Sequence, residues 1–361
     1  MEGGLLSDAG QPALDRAAED HRRRPPSAAL HERARRFWTR HRITVWTLHS
    51  AWSIASGSAI VLLARERYHL AAWIVFGLAA TWALTLFFAR PAAADESPRL
   101  VHAVTSYATR VLYQETLFFL IPFYAGSTVF GSLNALFLAL LAVLAALSCA
   151  DLLFDRWMRT SPGFALSFFA VVSFAAINLL LPLFVGLRPG LAEPAAALLA
   201  VAAVVPLGLH AAGRVPGGRF RLAVTAAVLL MVTIAAPGVI PPVPLRLQRA
   251  VFASGIDRVT LTPRDRISDH VRSGAVGREL VVLAQVFAPS ALPATVRLEW
   301  RRDGTLLRTS RTVRIVAHAS GFRVWDGWSS ATGSVPPGRY RVTLQTDDGR
   351  VFGVATLTVD A

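Results

Sequence analysis

Between Ile43 and Ile240 the chain is dominated by apolar runs, and seven of them approach the ~20 residues a helix needs to cross a bilayer at about 1.5 Å per residue. They cover approximately residues 43–64, 70–89, 111–130, 133–153, 163–187, 195–212 and 222–240. Segments this long and apolar must face lipid or pack among other helices, since a lone one in water has nothing to cover it. A mean hydropathy of +0.46 and an apolar share of 53% disfavour an ordinary soluble chain. The expectation is a membrane α-helical bundle of about seven transmembrane helices.

Charge supplies the orientation. All 37 basic residues are arginine, against 23 acids, for a net charge of +14. The absence of lysine excludes a P-loop lysine, a Schiff-base lysine and a pyridoxal-phosphate lysine. Cys149 is the only cysteine, which excludes an intrachain disulfide and a multi-cysteine zinc site. Residues 1–42 hold nine arginines and six acids with no apolar run, and read as a disordered, mildly basic tail without a signal-peptide core. With the N-terminus in the cytoplasm, the inside loops carry eight arginines and the outside loops three, as the positive-inside rule requires. The expected placement is therefore multi-pass in a bacterial cytoplasmic (inner) membrane, with residues 43–241 as the helical bundle. Seven spans put the C-terminal domain outside the cytoplasm; six would put it inside. The count stays open because the first run is serine-rich and the sixth contains Pro206, either of which suits a re-entrant segment.

After Pro241-Pro242-Val243-Pro244 the pattern becomes short and alternating. Residues 277–287, 294–301, 306–316, 320–328, 338–346 and 350–359 read as strands, with Asp303-Gly304 and Asp348-Gly349 as hairpin turns. Val296, Leu298 and Trp300 share one face of a strand, while Arg297, Glu299 and Arg301 share the other. Residues 242–361 are thus expected to form a small all-β, immunoglobulin-like sandwich.

The run Tyr113-Gln114-Glu115-Thr116-Leu117-Phe118-Phe119-Leu120-Ile121-Pro122-Phe123, with a following helix that ends Ser148-Cys149-Ala150-Asp151, is similar to the membrane half of an uncharacterised family of bacterial multi-pass membrane proteins. Leu298-Glu299-Trp300-Arg301-Arg302-Asp303-Gly304, Gly321-Phe322-Arg323-Val324-Trp325, Pro337-Gly338-Arg339-Tyr340-Arg341-Val342 and Asp348-Gly349 resemble the β domain that closes such proteins, where tryptophan often stands at the place of Tyr340. The likeness covers most of residues 43–361 and excludes the tail. Both parts are domains of unknown function, so the resemblance implies an architecture, and neither an activity nor residues to carry over.

No standard catalytic or nucleotide-binding motif is present, and the nine histidines lack metal-ligand spacing. The expectation is a non-enzyme with no cofactor and no metal. Ionisable residues inside spans are the first functional lead, because burying them in hydrocarbon costs at least a few kcal/mol. His49, Glu115, Asp151 and His210 all fall toward the cytoplasmic side and form a candidate titratable or cation-binding cluster; alternatively each snorkels or caps a helix. Asn134 and Asn178 suit interhelical hydrogen bonds, while Pro122, Pro182 and Pro206 interrupt spans. The second lead is the net charge of +7 in residues 242–361, from seventeen arginines and ten acids. Arg297, Arg301, Arg308 and Arg314 are a candidate basic patch for an envelope protein or an anionic envelope component, or else a solvated face. Trp300, Trp325 and Trp328 offer aromatic surface, with Trp300 in the inward register. Two functions follow: a membrane protein presenting a basic sandwich for envelope anchoring, sensing or protein interaction, or a small transporter or channel built on the ionisable cluster. Beyond the lipid bilayer and that envelope partner no further partner is indicated, and nucleic acid is not expected.

Overall fold

The computed structural model describes residues 73–83, 99–149, 151–212, 236–288, 294–316 and 321–361, with single helical positions between 44 and 59 and between 220 and 231. The chain separates into two units, Met1–Ala55 and Ser56–Ala361. In the first, the described positions between 44 and 55 are helical. The tail, including His21 and His31, lies outside the described residues.

The second unit begins with helices: α1 (Trp73–Ala83), α2 (Arg99–Ser127), α3 (Asn134–Cys149), α4 (Asp151–Thr160), α5 (Pro162–Leu180) and α6 (Pro189–Ala212). Helix α5 starts on Ser161, whose hydroxyl accepts from the Phe164 amide, with Pro162 at the first helical position. It continues through a π-turn at Leu181–Val185 containing Pro182 and stops at Gly186, which is left-handed at φ 69°. Helix α5 is the core of this layer. Phe168, Phe169, Val172, Phe174, Ala175 and Leu179 are buried, Trp82 of α1 stacks on Phe169 at 4.6 Å, and Tyr113 of α2 meets Phe168 edge-on at 5.0 Å. Ala192, Ala196, Ala197 and Ala200 of α6 are also buried, the small residues that let two helices approach closely.

The expected bundle of seven transmembrane helices followed by a sandwich is overturned here. Among the described residues, one helix, Gly163–Val185, is long and apolar enough to cross a membrane, and most of it is buried inside the protein. The fold is mixed: helices, then two β-sheets. Apolar length in the sequence missed the polar groups and the places where helices begin and end. The third run lies in α2 with Arg110, Gln114 and Thr116 buried. The fourth breaks after the sixteen residues of α3, and Asp151 opens a separate helix. Of the second run the structure describes Trp73–Ala83, and of the sixth the stretch up to Val205 has described side chains; among the described residues neither meets the length and hydropathy of a span. The first and seventh runs fall mostly outside the described residues.

The β part forms a four-stranded sheet in the order β2-β1-β4-β8 and a six-stranded one in the order β3-β10-β9-β5-β6, with β7 also on β5. The strands are β1 (Arg246–Asp257), β2 (Thr262–Ile267), β3 (His270–Arg272), β4 (Glu279–Phe287), β5 (Thr295–Arg302), β6 (Thr305–Thr309), β7 (Val313–Arg314), β8 (Phe322–Ser329), β9 (Gly338–Thr346) and β10 (Val351–Asp360). Inward residues of both sheets share one core: Leu280, Val282 and Val286 from the first, Val296, Leu298, Trp300, Val342 and Leu344 from the second. Asp303 and Gly304 both have positive φ, 48° and 84°, the two-residue turn that suits right-twisted hairpins. The Tyr340 hydroxyl donates to Pro336 O at 2.9 Å, a corner bond of the kind found in immunoglobulin-like sandwiches.

Candidate functional site

The two parts meet at the β9–β10 turn, where a cleft of about 430 Å³ is lined by Arg188, Pro189, Gly190, Thr295, Asp347 and Asp348, among others. Its floor is ionic. Arg350 is buried with its Nη1 paired to Glu193 of α6, and its Nε lies 2.9 Å from Asp348 Oδ2. The same Nη1 donates to Pro189 O at 3.3 Å. Gly190 is required by this close approach, since a Cβ there would lie 2.8 Å from Asp348 Oδ2. A second tie runs from the start of α3: Asn134 Nδ2 donates to Val351 O at 2.8 Å, while its Oδ1 accepts from the Val129 amide at 3.2 Å. One guanidinium therefore faces two carboxylates. Burial, reinforced by Asp348, pushes the fully buried Glu193 up to about 8 against the opposing pull of Arg350. The arrangement can lock two layers together and bind a proton near neutrality. It contains no nucleophile and base pair, and no group of three or more His, Cys, Asp or Glu residues suited to a metal ion occurs among the described residues.

A second polar cluster stitches the two sheets. Asp326 of β8 accepts from Trp300 Nε1 at 3.0 Å and from Arg308 Nη2 at 3.0 Å. Burial raises its carboxyl above the ordinary value, with Arg308 and Trp300 opposing.

The structure divides the candidate basic patch. Arg297 and Arg301 lie on the outer face of the six-stranded sheet, and Arg314 joins them because it pairs with Thr295. Arg308 does not. A bulge between Trp300 and Arg301 sets Arg308 opposite Trp300, on the inner side, where it meets Asp326. Arg301 binds Glu299. Trp300 is core, Trp328 leans on Tyr340 at 5.8 Å, and Trp325 lies under the Arg258 guanidinium at 5.6 Å.

The candidate ionisable cluster is only partly in view. Glu115 is half-buried on α2. Asp151 opens α4 and His210 sits in the last turn of α6, both with side chains outside the described residues, and His49 lies outside them altogether. Asn178 Nδ2 donates to the Tyr124 hydroxyl at 3.1 Å, joining α5 to α2.

Sequence reasoning missed Glu193, Asp348 and Arg350. The available signal is an acid in the otherwise apolar stretch Leu191-Ala192-Glu193-Pro194-Ala195, two residues ahead of the sixth apolar run and so reading as loop. An acid with apolar neighbours on a helix invites a search for its buried partner.

A family model described as a family of unknown function (DUF5924) matches residues 27–277. The match takes in part of the segment read as tail and ends just before β4. No curated protein matches the chain.

Proposed function

We propose, from the premise that this chain belongs to the DUF5924 family of unknown function, that it is a non-catalytic attachment protein that holds a basic sandwich at a fixed position on a membrane-seated helical layer. The junction is the observation that carries this reading. The sandwich follows the helices through the short turn Pro237–Val239, and Arg350 and Asn134 pin it to the first turns of α6 and α3. A sandwich held this way is a rigid projection of the helices, whereas a tethered domain would sample many orientations.

Seating in a membrane is supported by outward apolar surface. Leu133, Leu136, Leu140 and Val143 are 41–63% exposed at the spacing of one helix face, and Leu191, Leu198 and Leu199 are exposed along α6. Such stripes are costly in water and match lipid or another apolar surface. With the single described span-like helix, Gly163–Val185, crossing a bacterial cytoplasmic membrane and the arginine-rich segment 1–42 kept inside, the sandwich falls on the outer side. The test is cell fractionation with an alkaline wash, together with alkaline phosphatase and green fluorescent protein fused in turn after Ala361. Retention in the washed membrane with phosphatase activity and no fluorescence is expected. Release by the wash overturns the seating, and fluorescence without phosphatase activity overturns the side.

A further inference from the structure

The outer faces of the two sheets differ in what covers them. On the four-stranded sheet, the turn after β1 folds back: Arg258 covers Trp325, and Arg323 Nη1 donates to the carbonyls of Thr260 and Leu261 at 3.5 and 3.4 Å. On the six-stranded sheet the near end of the face meets the helical layer, where Thr295 lines the cleft with Arg188, Pro189 and Gly190 and Gln345 is buried, while Arg314, Arg339 and Arg341 are exposed. Register places Arg297 and Arg301 of β5, Arg339 and Arg341 of β9 and Arg314 of β7 there together, with Arg272 of β3 opposite Asp360 at the margin. Glu299 is the carboxylate within the group, and it is already engaged by Arg301 and by Gln345 Nε2 at 3.2 Å. Arg301 and Arg341 stand directly opposite each other, an arrangement of like charge that destabilises a sheet. Among the described residues, the side chains of Arg297, Arg314, Arg339 and Arg341 form no ion pair with a carboxylate. Cross-strand neighbours on such a face are about 5 Å apart and i, i+2 neighbours about 7 Å, so the arginines form a two-dimensional array in which Arg314, Arg339 and Arg341 are exposed and without an ion pair, Arg297 is half-buried at the near end and Arg301 is engaged by Glu299.

We propose that this face docks a linear, phosphate-bearing anionic polymer, which deepens the attachment reading and rests on it. Guanidinium forks take phosphate oxygens two at a time, and an array of them suits a partner with many phosphates in a row. The direction of the face selects a polymer over a lipid surface. Arg297 lies beside the turn that meets the helices, with its Nη2 3.7 Å from where a Cβ on Gly349 would be. Arg301 is four residues further along β5, about 13 Å away, and pairs with Arg341. The array thus leads away from the helical layer, and a bilayer holding that layer would meet only its near end. The outward neighbours are Thr295, Thr343, Gln345, Val354, Thr356 and Thr358, with Leu306 opposite Arg301 and His270 opposite Thr358 at the two margins; no Phe, Tyr or Trp stands among the arginines to stack a base, so the phosphates and not nucleobases are what the array can read.

The test uses the full chain in detergent micelles, titrated with linear polyphosphate at several salt concentrations and, in parallel, with phosphatidylcholine vesicles containing one-third phosphatidylglycerol. R339Q/R341Q removes two exposed arginines from the array; R264Q/R266Q removes two from β2 of the other sheet as a charge-matched control. Expected are polyphosphate binding that weakens roughly tenfold or more in R339Q/R341Q with a flatter salt dependence, and a change within about twofold in the control. Equal weakening by both pairs, absence of polyphosphate binding at moderate salt, or a loss in R339Q/R341Q confined to vesicles would each overturn the proposal. The titration in micelles reads the polymer alone, so its failure is distinct from a failure of the membrane seating, which the fractionation reads.

Discussion

The helical layer and the sandwich solve the same problem, burial of apolar surface, with opposite amounts of local information. In the sandwich, inward and outward residues alternate, so each strand declares its face: β9 runs Tyr340, Val342 and Leu344 inward against Arg339, Arg341 and Thr343 outward. In α5 nearly every residue is apolar, and nothing in the local pattern says which side meets protein. The few polar groups decide. Tyr124 donates to Ala175 O at 3.0 Å and accepts from Asn178, fixing α2 against α5. The difference teaches that apolar length measures how much must be covered, and polar placement measures by what.

Removing the largest fully buried side chain of the sandwich is the strongest test of this contrast. Trp300→Ala leaves a cavity and strips Asp326 of a donor, and is expected to cost about 3–5 kcal/mol, read by chemical denaturation of the purified chain in micelles. A loss below about 1 kcal/mol would mean that the sandwich core is not organised around this residue.

The junction comes next, because it belongs to both regions. When unfolding is measured at a pH above about 8, where Glu193 is ionised in the wild type, Arg350→Met leaves that carboxylate buried without its cation, at an expected cost of about 3–5 kcal/mol. Adding Glu193→Leu to Arg350→Met should recover part of that loss, since the uncompensated charge goes with it. If the double variant is worse than Arg350→Met alone, the ion pair is not what joins the layers.

How much of this was legible follows from where parity is kept. Strands β4, β5, β8, β9 and β10 lie within a residue or two of the alternating segments in the sequence, and both Asp-Gly turns are where the sequence has them. Strand β1 was not legible: a register shift between Leu247 and Arg249 moves the inward set from Leu247 to Ala250 and Phe252, so no single alternation spans it. The same kind of shift in β6 turns Arg308 inward and divides the basic patch. The Glu193–Arg350 pair joins residues 157 positions apart, and no spacing rule reaches that far. The helical layer was misread because lipid and protein are equally good cover for an apolar helix.

The proton balance of the junction gives a third test. Glu193 is held up to about 8 in the folded chain, against an ordinary 4.5, so the folded state binds this proton more tightly than the unfolded one. Its contribution to stability is complete below about 4.5 and is lost as pH rises through about 8. Wild-type stability should therefore fall relative to Glu193→Gln across that window when both are unfolded at a series of pH values. A rise of the wild type relative to the variant would mean that Arg350 outweighs burial.

The helix-to-helix hydrogen bond should matter less. Tyr124→Phe removes the acceptor of Asn178 and is expected to cost about 1–2 kcal/mol, the penalty for one orphaned buried donor, again by denaturation in micelles. Asn178→Leu combined with Tyr124→Phe should cost less than the sum of the single changes, because the second removes the group that the first orphans. Strict additivity would show that the two residues act separately and that α2 and α5 are aligned by their apolar contacts alone.

The smallest effect is expected at the edge of the sandwich. Arg308 pairs with Asp326 but leaves 47% of its side chain exposed, so solvent screens the attraction and Arg308→Ala should cost no more than about 1 kcal/mol. Asp326 keeps its bond from Trp300, which is why loss of the arginine does not leave it bare. Coupling between the two partners of Asp326 is the sharper measurement. In a Trp300→Phe background Arg308 is the remaining side-chain partner of the carboxylate, beside the Gly327 amide, and Arg308→Ala should then cost more than it does in the wild type. Equal costs in the two backgrounds would mean that Asp326 is satisfied by solvent at this edge, and that the inner side of the sandwich, like the helical layer, is held by its apolar packing with the polar stitch as a minor addition.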